Sequence, residues 1–319
     1  MIDLNNNASR KANSIQLKAL LNKIYMQKYL VLLSIPAFVL LIIFNYIPMY
    51  GIVIAFQKYN PAIGILKSPW VGFLHFSNYF KDPFFFRILR NTFLLGLFSL
   101  ICGFPAPILL ALLLNEVKLK TYKRFAQTIS YLPNFISTVI IIGILKDLFS
   151  PSGGIVNEIL QYLGLIKSPI NFFGESEWFR PLYIGSGIWQ GVGFGSIIYL
   201  AAIAGINPEL YESALIDGAN RWHQMIYITL PTISSTIIIL FILAVGGILG
   251  NDFTKILLMY SPITYETADV IQTYVYRQGI QNANYSYASA VGLFMSLISF
   301  AFLFGTNYIS KKVSETSLW

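Results

Sequence analysis

Charge is what this sequence has least of. Of its 319 residues only 11% are Asp, Glu, Lys or Arg, whereas 55% are hydrophobic; soluble domains carry about 25% charged residues. A soluble protein of this size has no way to hide so much apolar surface, so the missing charge points to lipid as the solvent. A single cysteine, Cys102, lies in an apolar run and excludes a disulfide framework. The two histidines, His75 and His223, are isolated from one another, and neither a metal-ligand cluster nor a nucleophilic triad is visible. No G-x-x-x-x-G-K-[ST] phosphate cradle occurs, which excludes ATP hydrolysis by this chain through that motif. The net charge of +8 is not gathered into a dense basic stripe, so nucleic acid is not an expected partner.

What is present is long stretches without any charge. Six of them, 29–57, 91–115, 125–145, 181–208, 222–251 and 278–310, separate successive charged residues, and the shortest has 21 residues. About 20 residues of helix cross a ~30 Å hydrocarbon core. Backbone in lipid must satisfy its own hydrogen bonds, which excludes open strands, and the alternation of a membrane β-barrel is missing. The expected fold class is an all-α membrane protein with six transmembrane helices, near 30–54, 88–114, 126–149, 182–204, 232–250 and 287–309. The first apolar stretch is too long for the h-region of a signal peptide and no small-residue cleavage site follows, so it reads as a retained anchor.

Six spans put both termini on one face. The segments on that face hold 12 Lys/Arg in 78 residues, against 10 in 107 on the other, and Lys118, Lys120, Lys123 and Arg124 crowd one short loop. Basic residues favour the cytoplasmic side, so a multi-pass protein of the cell membrane with both termini inside is expected. Residues 1–28 read as a cytoplasmic amphipathic segment (Ile15, Leu17, Leu20, Leu21, Ile24), residues 29–310 as the six-helix domain, and 311–319 as a cytoplasmic tail.

The loop between the fourth and fifth spans, residues 207–231, is patterned rather than slack. Asn207 suits an N-cap, Pro208 the first helical position, and Glu209 the positive helix end. The expectation is a helix from Pro208 to about Asp217, an interruption at Gly218, and a second short helix through Trp222 and Ile226 to Pro231. Ala214 and Gly218, four apart, are expected to share one helix face on which a partner approaches closely.

Within this loop Glu212-Ser213-Ala214, three residues, Gly218, nine residues, and Ile228-Thr229-Leu230-Pro231 resemble the coupling loop of permeases in binding-protein-dependent ABC importers. The family pattern is E-A-A, three residues, G, nine residues, I-x-L-P; Ser213 replaces the middle alanine, a change between small residues. The resemblance implies a type I ABC importer permease fold with a cytoplasmic coupling helix. It implies that Glu212, Ser213, Ala214, Asp217, Gly218, Ile228, Leu230 and Pro231 form the contact with an ATPase. No cofactor is then bound by this chain, since ATP and Mg belong to the partner. Two cytoplasmic ATPase subunits, a second homologous permease and an extracellular sugar-binding lipoprotein are the implied partners beside the lipid bilayer.

The stretches Tyr46–Gly51, Ala55–Gln57, Tyr59–Pro61, Pro69–Phe73 and Thr264–Val270 are similar to permeases for oligosaccharides and polysaccharide fragments, of the maltose-importer-like, multiple-sugar type. Sugars are held by aromatic faces and by neutral amides and hydroxyls. Tyr131, Asn134, Trp189, Gln190, Tyr199, Asn251 and Asp252 are therefore the candidate substrate-path residues. Asp252 carries the most weight, because an acid at membrane depth is costly. Competing explanations are a membrane-interface role for Tyr131 and Trp189, and a solvated end residue for Asp252. The aromatic-rich stretch 57–87 reads as a docking rim or as packing, with packing favoured for Phe84–Phe86. Importers of a non-sugar solute, an ATPase-independent secondary transporter or channel, and a non-transporting scaffold remain the alternative functions.

Overall fold

The computed structural model describes residues 26–314 and is helical nearly throughout; the amphipathic segment expected within 1–28 and the end of the tail lie largely outside the described residues. No β-strand occurs among the described residues, only an isolated bridge between Gln57 and Trp70. Four helices are long and apolar enough to cross a membrane: α1 (Lys28–Phe56), α3 (Phe85–Glu116), α7 (Ser176–Ala204) and α14 (Tyr285–Ser314). α2 (Leu74–Phe80) precedes α3, and α6 (Ile155–Tyr162) precedes α7. Two further apolar stretches are bent pairs, α4 (Lys120–Phe135) with α5 (Thr138–Leu148) at 99°, and α9 (Arg221–Thr232) with α10 (Ser234–Gly246) at 63°. Counting each pair as one span gives six.

The first bend differs from the single third span expected over 126–149. The second falls where the loop's second helix is expected to end and the fifth span to begin, and the sequence contains the reason for both. Pro133 falls in a turn of 3₁₀ helix, Ile136 is extended, and Ser137 starts a new helix by accepting the Ile140 N–H at 3.4 Å. Proline removes a helical donor and a serine cap restarts the ladder, so one apolar run yields two helices. Pro231 and Ile233 mark the second break.

α1 has no buried residue in its membrane window, and Leu33 and Phe44 are largely exposed. Only its final turn, near the buried Ala55, packs on α14. A bare apolar helix of this length is stable in lipid, where its backbone bonds are internal. α7 is the central helix, packed on α3, α4 and the short outer helices α11 (Phe253–Met259) and α12 (Tyr265–Ala268). Small residues let backbones meet: a Cβ on Gly193 of α7 would collide with the Ser130 carbonyl of α4, and one on Gly96 of α3 with the Ile248 carbonyl after α10. Gly96→Leu is expected to destabilise the bundle by about 1–3 kcal/mol through overpacking, read as a lower unfolding midpoint of the detergent-purified protein; an unchanged midpoint would contradict the close approach.

Behind α7, the short helices α12 and α13 (Ile271–Tyr276) are tied to α3 by polar groups. Asn91 donates to the carbonyls of Glu266 at 2.8 Å and Asp269 at 3.2 Å, and its Oδ1 accepts from Arg180 at 3.0 Å. The Asp269 carboxylate, fully buried, pairs with Arg277 at 2.6 Å and Arg87 at 3.7 Å and accepts from the Thr273 hydroxyl at 2.9 Å. Nearby, Asp82 accepts from the hydroxyls of Tyr274 and Tyr287. Burial, reinforced by the bond to Asp82, pushes the Tyr274 phenol up to about 12, so it remains a donor at physiological pH.

Candidate functional site

Two regions carry chemistry. One is an open cavity of about 530 Å³ between the middles of α3 and α7, bordered by the α4–α5 break and by α11. Asn134, Gln190 and Asp252 line it together, as do Ser99, Thr138, Tyr183 and Lys255. Gln190 is held by donating to the Ile136 carbonyl at 3.2 Å, a group freed where the α4–α5 ladder stops. Asp252 caps α11 by accepting the Lys255 N–H at 3.0 Å, while its own N–H donates to the Tyr183 hydroxyl at 2.9 Å. An amide, a hydroxyl, a carboxylate and an ammonium thus face one volume large enough for a sugar unit. That mixture can bind hydroxyls in several orientations and suits a path better than a rigid trap.

The remaining candidates from the sequence lie elsewhere. Trp189 is half exposed at the middle of α7 and is not part of the cavity wall. Tyr199 is buried at 4% exposure in an apolar cluster with Leu112, Ile203, Ile206 and Ile233, at the far end of α7 from Tyr183. Tyr131 is outside the wall; the Gly193 contact with Ser130 and Tyr131 places it at a helix-packing point. Asn251 donates to the Thr92 carbonyl at 3.2 Å and so serves the α3 packing. Lys255 and Tyr183 were not singled out from the sequence. The available signal was Lys255 as the first cation after a charge-free run, three residues from Asp252.

The second region is the loop after α7. Its first helix, α8 (Pro208–Ile216), is capped by Asn207, which accepts the Glu209 N–H at 3.1 Å, and Pro208 occupies its first turn. Gly218 has φ +79 and lies beyond the helix end, with Ala219 N–H donating to the Ala214 carbonyl at 2.9 Å. The expected shared face of Ala214 and Gly218 is therefore not formed. A Cβ at Gly218 would meet nothing within 4 Å, so the glycine is required for its left-handed backbone, not for space. Asn220 then starts α9 by accepting the His223 N–H at 2.9 Å.

The loop is two-sided. Ile228, Leu230, Met225 and Tyr211 pack on the apolar cluster around Tyr199, and Tyr211 bonds Thr229 at 2.9 Å. Glu212, Ser213, Asp217 and Pro231 are exposed, and so are Leu215, Ile216, Trp222 and Tyr227. An ion pair, Arg221 to Glu116 at 3.5 Å, joins the loop to the end of α3. The histidines have structural partners: His75 meets the Gln57 carbonyl at 3.0 Å, and His223 pairs with Asn220 and stacks on Tyr227. In the aromatic stretch, Phe85 is buried while Phe84 and Phe86 are exposed on the single chain, where lipid or a partner helix can cover them. Among the described residues no cluster of metal-ligating side chains occurs.

The chain is 44% identical over 302 residues to the polygalacturonan/rhamnogalacturonan transport system permease protein YteP of Bacillus subtilis (strain 168), covering 95% of this chain and 94% of that protein. It is 44% identical over 292 residues to protein LplB of the same organism, covering 92% and 91% of the two chains. Its fold is similar, with a TM-score of 0.85 and 44% identity, to a chain in a crystal structure of a bacterial alginate ABC transporter in complex with an alginate pentasaccharide-bound periplasmic protein, covering 93% of this chain and 99% of that one. Residues 103–315 match the family described as "Binding-protein-dependent transport system inner membrane component". The all-α type I permease fold completes the match, and this chain belongs to that family of inner-membrane permease subunits.

Proposed function

We propose that this permease carries oligosaccharides or polysaccharide fragments, delivered by an extracellular binding protein, and that ATP hydrolysis on separate ATPase subunits drives the import. The loop after α7 carries the reading. Its inner side is cemented to the bundle while Leu215, Ile216 and Trp222 face outward beside Glu212 and Asp217. An apolar patch ringed by acids on a short, stiff helix fits a cleft in another protein. Because α8 joins α7 directly and α9 bends into α10, force on the loop passes to the helices that wall the cavity. ATP and Mg belong to the ATPase pair, and a second, similar permease supplies the second loop. The loop and both termini face the cytoplasm in this reading, in keeping with the basic short loop at Lys118–Arg124. Reports of YteP as a polygalacturonan/rhamnogalacturonan permease and of the alginate transporter favour a saccharide as cargo.

The test is uptake in vesicles holding the permease pair, ATPases and binding protein. Oligosaccharide accumulation is expected only with internal ATP; accumulation without the ATPases would instead establish a secondary transporter or channel, and no accumulation of any saccharide would remove the carbohydrate reading.

A further inference from the structure

The first turns of α4 carry more chemistry than a connector needs. α3 ends at Glu116 and α4 begins at Lys120, so the start of α4 stands at the membrane surface that α3 has just reached. Since α4 and α5 meet at 99°, both can contribute to one crossing only if both slant. The start of α4 therefore passes obliquely through the headgroup layer.

Three faces divide this helix. One meets α7, where a Cβ on Gly193 would collide with the Ser130 carbonyl, and this contact pins α4 in place. Tyr122, Phe125, Ile129 and Leu132, at three- and four-residue intervals, form a second face, and each is more than half exposed. Lys120 and Arg124, four apart, mark a third, with Lys118 and Lys123 beside them. Lys118, Lys120 and Arg124 are exposed and Lys123 is half-buried. None of the ion pairs or cation–ring contacts among the described residues involves these four. The adjacent acid, Glu116, is taken by Arg221. An exposed aromatic stripe beside unpaired cations, at the end of a membrane helix, matches a phospholipid with a negative headgroup. The ATPase fits the cluster less well. The loop after α7 offers it Glu212 and Asp217, and a cleft suited to those acids repels lysines.

We propose that the first turns of α4 bind an anionic phospholipid of the cytoplasmic leaflet, the four basic side chains receiving its phosphate while Tyr122, Phe125 and Ile129 lie along its acyl chains. This rests on the cytoplasmic placement of that end of α4 in the reading above. The lipid acts on transport through the helix. Beyond its contact with Gly193, α4 runs into the Pro133 turn, where Asn134 lines the cavity and the Ile136 carbonyl accepts from Gln190 at 3.2 Å. A headgroup that fixes the slant of the first turns fixes where Asn134 stands.

The test measures retention of phosphatidylglycerol and of phosphatidylcholine by the detergent-purified permease–ATPase complex, read by native mass spectrometry. Each basic residue near a negative headgroup contributes about fivefold. With the four sharing one phosphate, the wild type is expected to favour phosphatidylglycerol by about tenfold or more. Lys118→Gln, Lys120→Gln, Lys123→Gln and Arg124→Gln combined should bring the two lipids to parity. Lys311→Gln with Lys312→Gln, in the last turn of α14, should keep the preference. Parity in the wild type overturns the proposal, as does a preference that survives the combined change or one lost equally with the α14 pair. A combined variant that sheds the ATPase yet still prefers phosphatidylglycerol gives the cluster to the ATPase instead. If that variant does not assemble, a photoactivatable phosphatidylglycerol on the wild-type complex decides: labelling within residues 118–132 supports the site, and labelling confined to other segments overturns it. ATP-driven uptake by the wild type should fall about fivefold in vesicles of phosphatidylcholine alone relative to vesicles that also hold phosphatidylglycerol; equal uptake overturns the action on transport. Absence of ATP-driven uptake in both sinks the import reading, whereas lipid retention, measured without transport, decides the lipid site by itself.

Discussion

Gly218→Pro is expected to reduce ATP-driven uptake by about a hundredfold while leaving the permease inserted and folded. Gly218 holds φ +79 and donates its N–H to the Leu215 carbonyl at 3.1 Å. Proline is locked near φ −65° and has no N–H, a change that costs about 3 kcal/mol or more, or roughly two powers of ten. The strain falls on the angle between α8 and α9, which sets how the exposed Leu215, Ile216 and Trp222 face the ATPase. It does not reach the core, because nothing lies within 4 Å of a Cβ at this position. Gly218→Ala keeps the N–H and strains only φ, so a milder loss of about tenfold is expected. Glu212→Lys, a reversal at an exposed site with no core contact, should uncouple similarly without altering stability. The measurements are uptake and binding-protein-stimulated ATP hydrolysis in vesicles, beside the unfolding midpoint in detergent. Wild-type uptake by Gly218→Pro and Glu212→Lys would remove the coupling assignment.

Asp269→Ala should have the largest effect on stability. Its carboxylate is fully buried and joins Arg277 and Arg87 with the Thr273 hydroxyl, so one side chain fastens α13 to α3. Removing it leaves two guanidinium groups without their anion, and breaking a buried pair in this way costs about 3–5 kcal/mol. Arg277 and Arg87 retain 22% and 31% exposure, which lets solvent relieve part of that, so the lower end applies. A midpoint fall of about 5–10 °C in detergent is expected. Thr273→Val removes one hydrogen bond and should cost about 1 kcal/mol. Equal midpoints for Asp269→Ala and wild type would mean that this knot does not hold the outer helices. Since α12 and α13 adjoin the cavity helix α11, transport should fall with stability.

How much of this was legible beforehand follows from the range over which each signal acts. The charge-free runs overlap α1, α3, α7 and α14 and miss their observed bounds by seven residues at most, because lipid imposes length and apolarity on each helix separately. The capped loop was equally legible. Asn207, Pro208 and Gly218 act on their nearest neighbours, and the structure differs only in making Gly218 a left-handed turn instead of a helix-face residue. The bend at Pro133 was also written locally, yet composition alone read the run 125–145 as one span.

The cavity was another matter. Seven polar or aromatic residues looked alike in sequence, and only Asn134, Gln190 and Asp252 converge. Tyr199 and Trp189 sit on the same helix as Gln190, but burial in the far apolar cluster claims the first and exposure the second. Lys255 reads as an ordinary loop cation until α11 folds against Gly187 and Tyr183. The sequence by itself therefore determined the membrane class, the position of most spans and the capped loop after α7, since each depends on a few adjacent residues or on the solvent. Only the tertiary structure decided which side chains share the cavity and that Asp269 ties the outer helices to α3, because those relations join residues up to 182 positions apart and depend on which face each helix turns inward.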